Sequence, residues 1–264
     1  MKYNLLFTCR LIACFAFLSP ALALAVEPFP TLEQQSAMSN EERHAQAART
    51  EVWLPVPPII ISALGQPPSD AIVLLKDGLS AWQSVNTGKN ADWLLQEGVL
   101  TVKPGSGDIK TNDTFCDVQL HIEWRTPTAD PTKSGQYQNN SGIFLQERYE
   151  IQILDSYQND TYPNGQAGAV YKQTSPLVNA MRPTGEWQTY DIIYKAPRFD
   201  GDTRLSPGFV TVLHNGVLVQ NHTEIQGTTE WIGPPQQPAH GCGALKLQDH
   251  GDKVSFRNIW VRNL

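Results

Sequence analysis

The chain has 264 residues, carries 20 Lys and Arg against 26 Asp and Glu for a formal charge of −6, and is 41% hydrophobic. That is enough chain for one large β domain or two small ones, and the composition is that of a globular protein. The acidic balance and the scattered lysines, with no basic stripe, argue against a nucleic-acid partner.

In chain order, residues 1–25 read as an export signal. Lys2 and Arg10 supply the positive start, Leu11 to Leu24 the apolar run, and Ala23-Leu24-Ala25 a small-residue cleavage site before Val26. The run is shorter than a bilayer span needs, and Pro20 interrupts it. The expected destination is therefore the periplasm or the medium. Leu11-Ile12-Ala13-Cys14 resembles a lipoprotein box, so a lipid anchor on Cys14 is the lesser alternative. Against it, Arg10 intrudes on the apolar stretch before the box, and another apolar stretch follows Cys14. No other segment is expected to span a membrane. Export leaves Cys116 and Cys242. They pair in an oxidising compartment, or they are two buried small hydrophobes; the residues alone leave both open.

Residues 26–69 form an N-terminal extension. Ser39 with Glu42 makes a capping box, and Ala45, Ala47 and Ala48 favour the helix that follows. WLPVPPII and GQPPSD cannot be regular structure and read as a strap, since Trp53 and Ile59 to Ile61 would be wasted on a free linker. Residues 70–264 then change to short β-branched and aromatic runs with turns between them: IVLLKDG, WLLQEGVLTVKPG, FCDVQLHIEWR, SGIFLQERYEIQIL, EWQTYDIIYKAP, FVTVLHNGVLVQ, CGALKLQDHG and VSFRNIWVRNL. Asn215-Gly216 is the strongest hairpin signal. With no long amphipathic helix between the runs, the expected fold is all-β, an antiparallel sandwich or jelly roll of about a dozen strands. The polar loop 157–168 belongs at its rim.

The stretch from Asn139 to Ser156 carries the densest chemistry. Read as one strand, it sets Gln146, Arg148, Glu150 and Gln152 on one face and Ile143, Leu145, Tyr149, Ile151 and Ile153 on the other. Donors, acceptors and one carboxylate in a row suit a polyhydroxylated ligand; the plainer reading is a solvated strand face. Alternation groups His121, Glu123 and Arg125 on another strand. Gln248, Asp249 and His250 end a strand at a rim, and Tyr171-Lys172 follow the Gly168-Ala169 turn. There is no metal-binding motif and no G-x-S-x-G elbow. Retaining jelly-roll glycosidases carry E-x-D-x-E on one strand. Here Glu150 is followed by Gln152 and Leu154, so the second carboxylate that double displacement needs, about 5–5.5 Å from the first, is missing.

The runs EWR at 123–125, NSGIFLQ at 140–146, YEIQILDS at 149–156, GAVYK at 168–172, GEWQTYDI at 185–192, LQDHG at 247–251 and FRNIWVR at 256–262 resemble the bacterial DUF1080 family. That family is described as 3-keto-glucoside 1,2-lyase, 3-keto-2-hydroxy-glucal hydratase or 3-keto-disaccharide hydrolase. The resemblance spans roughly residues 70–264 and implies a concanavalin-like jelly roll acting on glycosides oxidised at C3. Cys116 and Cys242 depart from the aromatic and the proline expected there, which hints at a local cross-link. A C3 ketone acidifies the C2 proton, so one base, one acid and an enolate stabiliser suffice. On this reading Glu150 is the base and His250 the acid. Arg125, Arg148 or Lys172 steadies the enolate, while Gln146, Gln152, Glu123, Gln248 and Asp249 belong to the substrate contacts. No cofactor is required, although a divalent metal on Glu123, Glu150 and His250 is the alternative enolate stabiliser. Glu123 with Arg125 as a mere ion pair, and His250 as a turn residue, are the structural alternatives. A lectin-like carbohydrate-binding module is the competing class, and a structural envelope protein a weaker third.

Overall fold

The protein is described by a computed structural model over residues 27–264, so the export signal and Cys14 lie outside the described residues. The described residues divide into two units, one ending at residue 58 and the other comprising residues 59–264. In the first, the Ser39–Glu42 capping box opens the helix Asn40–Ala48 as expected. A second box, Thr31 with Gln34, opens a further short helix, Leu32–Ala37. The Pro-rich stretch that follows is irregular, because proline lacks the donor that either helix or sheet requires.

The second unit is a jelly-roll sandwich of two antiparallel sheets, with Arg198–Asp200 and Thr203–Ser206 as a separate two-stranded hairpin. The larger runs Val217–Ile225, Gly208–His214, Gln188–Lys195, Val118–Arg125, Ser255–Asn263, Val99–Thr101 and Leu94–Gln96, with Ile72–Val73 paired to Ser255–Asn263. The smaller runs Trp82–Ser84, Ile109–Thr111, Lys246–Leu247, Ser141–Leu145 and Tyr149–Ile153. Burial alternates along Val118–Arg125, Gln188–Lys195 and Gly208–His214, which makes these strands two-sided, whereas Ser141–Leu145 and Tyr149–Ile153 are buried throughout. Leu120, Ile122 and Trp124 point into the core, where they meet Ile143, Ile151, Ile153 and Leu247 of the smaller sheet. Burying side chains of this kind contributes roughly 1.5–3 kcal/mol each before chain entropy is charged against it. Among the described residues no helix is long and apolar enough to cross a membrane.

Asn215 and Gly216 turn the hairpin between Gly208–His214 and Val217–Ile225 with φ of 52° and 79°, the left-handed pair such a turn needs. The stretch 139–156 differs from its expectation. It is not one strand but a hairpin, Ser141–Leu145 against Tyr149–Ile153, with Phe144 opposite Glu150 and Gly142 opposite Gln152. Gln146 and Glu147 make the turn at φ of 53° and 62°. No glycine or asparagine advertises that turn, and left-handed backbone at non-glycine residues is uncommon. The three-residue turn keeps the parity, so Ile143, Leu145, Tyr149, Ile151 and Ile153 all still face inward. Cys116 and Cys242 form a disulfide across 126 residues, beside the bridge that joins Phe115 to Gly243.

Candidate active site

The outward face of the smaller sheet holds a cleft of about 200 Å³ lined by Asn140, Phe144, Glu150, Gln152, Tyr171, Thr229, Trp231, Gln248 and His250. Register explains the gathering. Lys246 lies opposite Phe144, and Phe144 opposite Glu150, so the three stand in one row across adjacent strands. Gln152 stands one row along on the same face. Gln248 continues its strand by donating from its backbone N–H to the Gly142 carbonyl at 3.0 Å, which carries His250 to the rim.

Glu150 is only 4% exposed. Burial pushes its carboxyl up to about 8, against the opposing pull of the Lys246 charge and with a further push from Asp108. Lys246 is held by Asp108 at 2.7 Å and lies 3.7 Å above the Phe144 ring, so its charge is shared rather than given to Glu150 alone. The Gln152 side-chain oxygen lies 2.9 Å from Glu150 Oε1. A neutral Glu150 can donate to that oxygen, while Gln152 Nε2 donates to Gln136 Oε1 at 3.1 Å. With the amide turned over, its nitrogen donates to an ionised Glu150 and to the Ser141 carbonyl at 3.3 Å. Gln152 therefore serves either protonation state. Tyr171 donates or accepts at 2.8 Å with Tyr162. Burial, that bond and the nearby Tyr162 and Glu150 raise its phenol, which keeps it protonated as a donor. The Gln248 side-chain oxygen is buried and has no hydrogen-bond partner among the described residues.

The carboxyl has room because residue 142 is glycine. A Cβ there would meet Glu150 Oε1 at 2.4 Å and the Phe144 ring at 2.9 Å. Gly142→Ala is expected to cost about 1–3 kcal/mol of stability by overpacking and to change the Glu150 titration. Thermal unfolding, with infrared titration of the carboxyl, checks this. Unchanged melting and an unchanged titration would show that Glu150 does not depend on that space.

The sequence-derived residues divide sharply. Glu150, Gln152, Gln248 and His250 are brought together in the cleft. Lys172 sits at its edge with Nζ donating to the Trp231 carbonyl at 2.6 Å. Asp249 is spent on structure, accepting from the Gly107 N–H at 2.9 Å and the Gly251 N–H at 3.0 Å. Gln146 turns inward, donating to the Phe115 carbonyl and accepting from the Tyr194 hydroxyl, which corrects the idea of one continuous polar face. Arg148 belongs to the turn, with its guanidinium on the Gln146 carbonyl at 2.8 Å.

Glu123 and Arg125 lie on the outward face of the larger sheet, with the core between them and Glu150. Glu123 is bound there by Arg257 at 2.6 Å and Asn258 at 2.9 Å. Burial pushes its carboxyl up, but those two hydrogen bonds win and hold it below the ordinary range. Arg125 covers the Trp187 ring at 4.7 Å. Glu123 therefore cannot share a metal with Glu150 and His250, since packed sheets stand about 10 Å apart. Among the described residues no group of three His, Cys, Asp or Glu has metal-binding geometry. Glu123, Glu150 and His250 therefore do not form a donor set that fits a metal. Phe144, Thr229, Trp231 and Lys246 were not anticipated from the sequence, whereas Tyr171 was singled out there beside Lys172. Alternation within LKLQ and SGIFL was the available signal for Lys246 and Phe144, whereas Thr229 and Trp231 come from an irregular loop that carries none.

Comparison with known proteins agrees with this architecture. The chain is 50% identical, at a TM-score of 0.78, to a crystal structure of a Parabacteroides distasonis protein designated provisionally a glycosyl hydrolase, covering 82% of this chain and 95% of that one. A second structure from that organism, with the same provisional designation, shares the fold at 22% identity and a TM-score of 0.53, covering 74% and 99%. A 3-keto-disaccharide hydrolase of Bacteroides thetaiotaomicron is 24% identical over 74% of this chain and 79% of its own length. The family described as the 3-keto-alpha-glucoside-1,2-lyase-like domain matches residues 70–262, and the chain belongs to it.

Proposed function

We propose that this protein is a carbohydrate-active enzyme that cleaves 3-keto-glycosides by removing the C2 proton and eliminating the group at C1. The observation that carries the reading is that the cleft lining holds a single, buried carboxyl. Glu150 is the one acid lining a cleft otherwise furnished with amides, hydroxyls and a histidine. One base is what elimination needs, and double displacement needs two carboxylates. Ionised Glu150 takes the C2 proton, and the electron pair passes to the C3 oxygen as an enolate. The enolate then reforms the ketone, a C1–C2 double bond forms, and the C1–oxygen bond breaks with a proton delivered from His250. Tyr171 and the Gln152 and Gln248 amides supply donors for the enolate oxygen and the sugar hydroxyls. Water added across the new double bond completes a net hydrolysis. The family and the Bacteroides relative support the substrate class. We also propose export, which the Cys116–Cys242 disulfide supports.

The test is incubation with 3-keto-glucosides of both anomers, with and without chelator, beside their unoxidised parents. The keto-sugars are expected to react and, in deuterium oxide, to gain deuterium at C2. The parents are expected to be inert, because they have no acidic C2 proton. Efficient cleavage of an unoxidised glycoside without C2 exchange would return the chain to ordinary glycosidases. Tight binding of both with turnover of neither would make it a lectin-like module.

A further inference from the structure

Beside the cleft, residues 226–242 form a long irregular loop that is tied down along its length yet holds an unused aromatic ring in solvent. Its first turn is closed by Gln226 N–H on Gln173 Oε1 at 2.8 Å and by Thr228 N–H on the Gln236 carbonyl at 2.8 Å. Gly227 is required there, since a Cβ would lie 2.2 Å from the Gln236 oxygen. Thr229 joins the loop to the catalytic strand, donating its N–H to the Arg148 carbonyl at 2.8 Å and accepting the Glu150 N–H on its hydroxyl at 2.9 Å. Lys172 grips the Trp231 carbonyl from the other side, and Cys242 anchors the far end through its disulfide. At the tip, Trp231 is 74% exposed although it lines the cleft, and its indole N–H has no hydrogen-bond partner among the described residues. A backbone held this firmly around a large apolar ring in water is a cost that the fold itself does not recover.

We infer that Trp231 is the platform for the leaving group, stacking on the apolar face of a second pyranose attached at C1. The inference rests on the proposed 3-keto-glycoside reaction for its substrate and adds the residue that selects the group expelled. Two observations favour a sugar over an aryl ring. Lys172 Nζ has protons left after its single carbonyl contact, and the Tyr162 oxygen can still accept while its hydroxyl donates to Tyr171. A hydroxyl-rich ring uses the indole face and these groups together, whereas a plain aryl ring uses the indole alone.

The experiment compares Trp231→Ala and Trp231→Phe with the wild type on three substrates: a 3-keto-glucosyl-glucose, methyl 3-keto-glucoside and 4-nitrophenyl 3-keto-glucoside. The kcat/KM ratio of disaccharide to methyl glycoside is expected to fall roughly tenfold or more in the alanine variant and to be largely restored in the phenylalanine variant. An unchanged ratio, or a loss confined to the nitrophenyl substrate, overturns the inference. Equilibrium binding of the unoxidised disaccharide and of methyl glucoside, followed by calorimetry, keeps the platform separable from the chemistry. Should the wild type turn over no keto-sugar, the proposed reaction fails, and the platform still stands or falls on this measurement. A disaccharide preference lost in Trp231→Ala supports it, and no preference in the wild type overturns it.

Discussion

Glu150→Gln is expected to lower turnover of a 3-keto-glucoside at least about a hundredfold while leaving the fold intact, because it keeps the shape and removes the basic site. The same carboxyl sets the pH dependence. With its titration at about 8, the base is mostly protonated at neutrality. With 4-nitrophenyl 3-keto-glucoside, whose leaving group departs as an anion and needs no proton from His250, the logarithm of kcat/KM should therefore climb with unit slope up to about 8 and level off above it. A profile that falls through this range would make Glu150 the acid instead, and near-normal turnover in the folded variant would remove it from the mechanism. Stability gives an independent check. A carboxyl whose folded titration is raised holds its proton more tightly when folded, so its stabilising contribution is complete below 4.5 and is lost as pH climbs to about 8. Glu150→Gln has no such loss. It should match the wild type near pH 5 and exceed it near pH 9 by an amount on the order of a few kcal/mol, read from denaturant midpoints. A pH-independent difference would contradict the burial argument.

Replacing Cys116 and Cys242 together by serine is expected to cost about 5 kcal/mol of unfolding free energy in the chain-entropy account, because the bridge closes a loop of 126 residues. Thiol counting on the denatured, non-reduced wild type should find neither of these cysteines free. Denaturant unfolding of the double variant measures the cost; a loss under about 1 kcal/mol would show that the open chain is already restrained elsewhere. The substitution should also loosen the 226–242 loop, since Cys242 is its anchor, and faster amide exchange around Thr229 would register that.

What the sequence determined by itself is the set of local choices. A period of two separates the faces of Val118–Arg125 and of Tyr149–Ile153, so inward Ile122 and Ile151 and outward Glu123 and Glu150 could be told apart without coordinates. Asn215-Gly216 and the Ser39–Glu42 box are likewise short-range chemistry, written where they act. Family-bearing runs pointed to Glu150 and His250, and the tertiary structure does place them in one cleft. Only the tertiary structure decided that Glu123 and Arg125 face away from it. Alternation says that a strand has two sides, but not which sheet the strand joins or which outward face the loops will wall in. The same limit hid Trp231 and Thr229, which reach the cleft through a loop whose position is set by Cys116 and Lys172, far away in the chain. It also hid the character of Glu150. A carboxyl's titration follows from how much water its neighbours exclude and where the nearest charges stand. For Glu150 those neighbours include Gly142, Lys246 and Asp108, brought together by strand register rather than by adjacency.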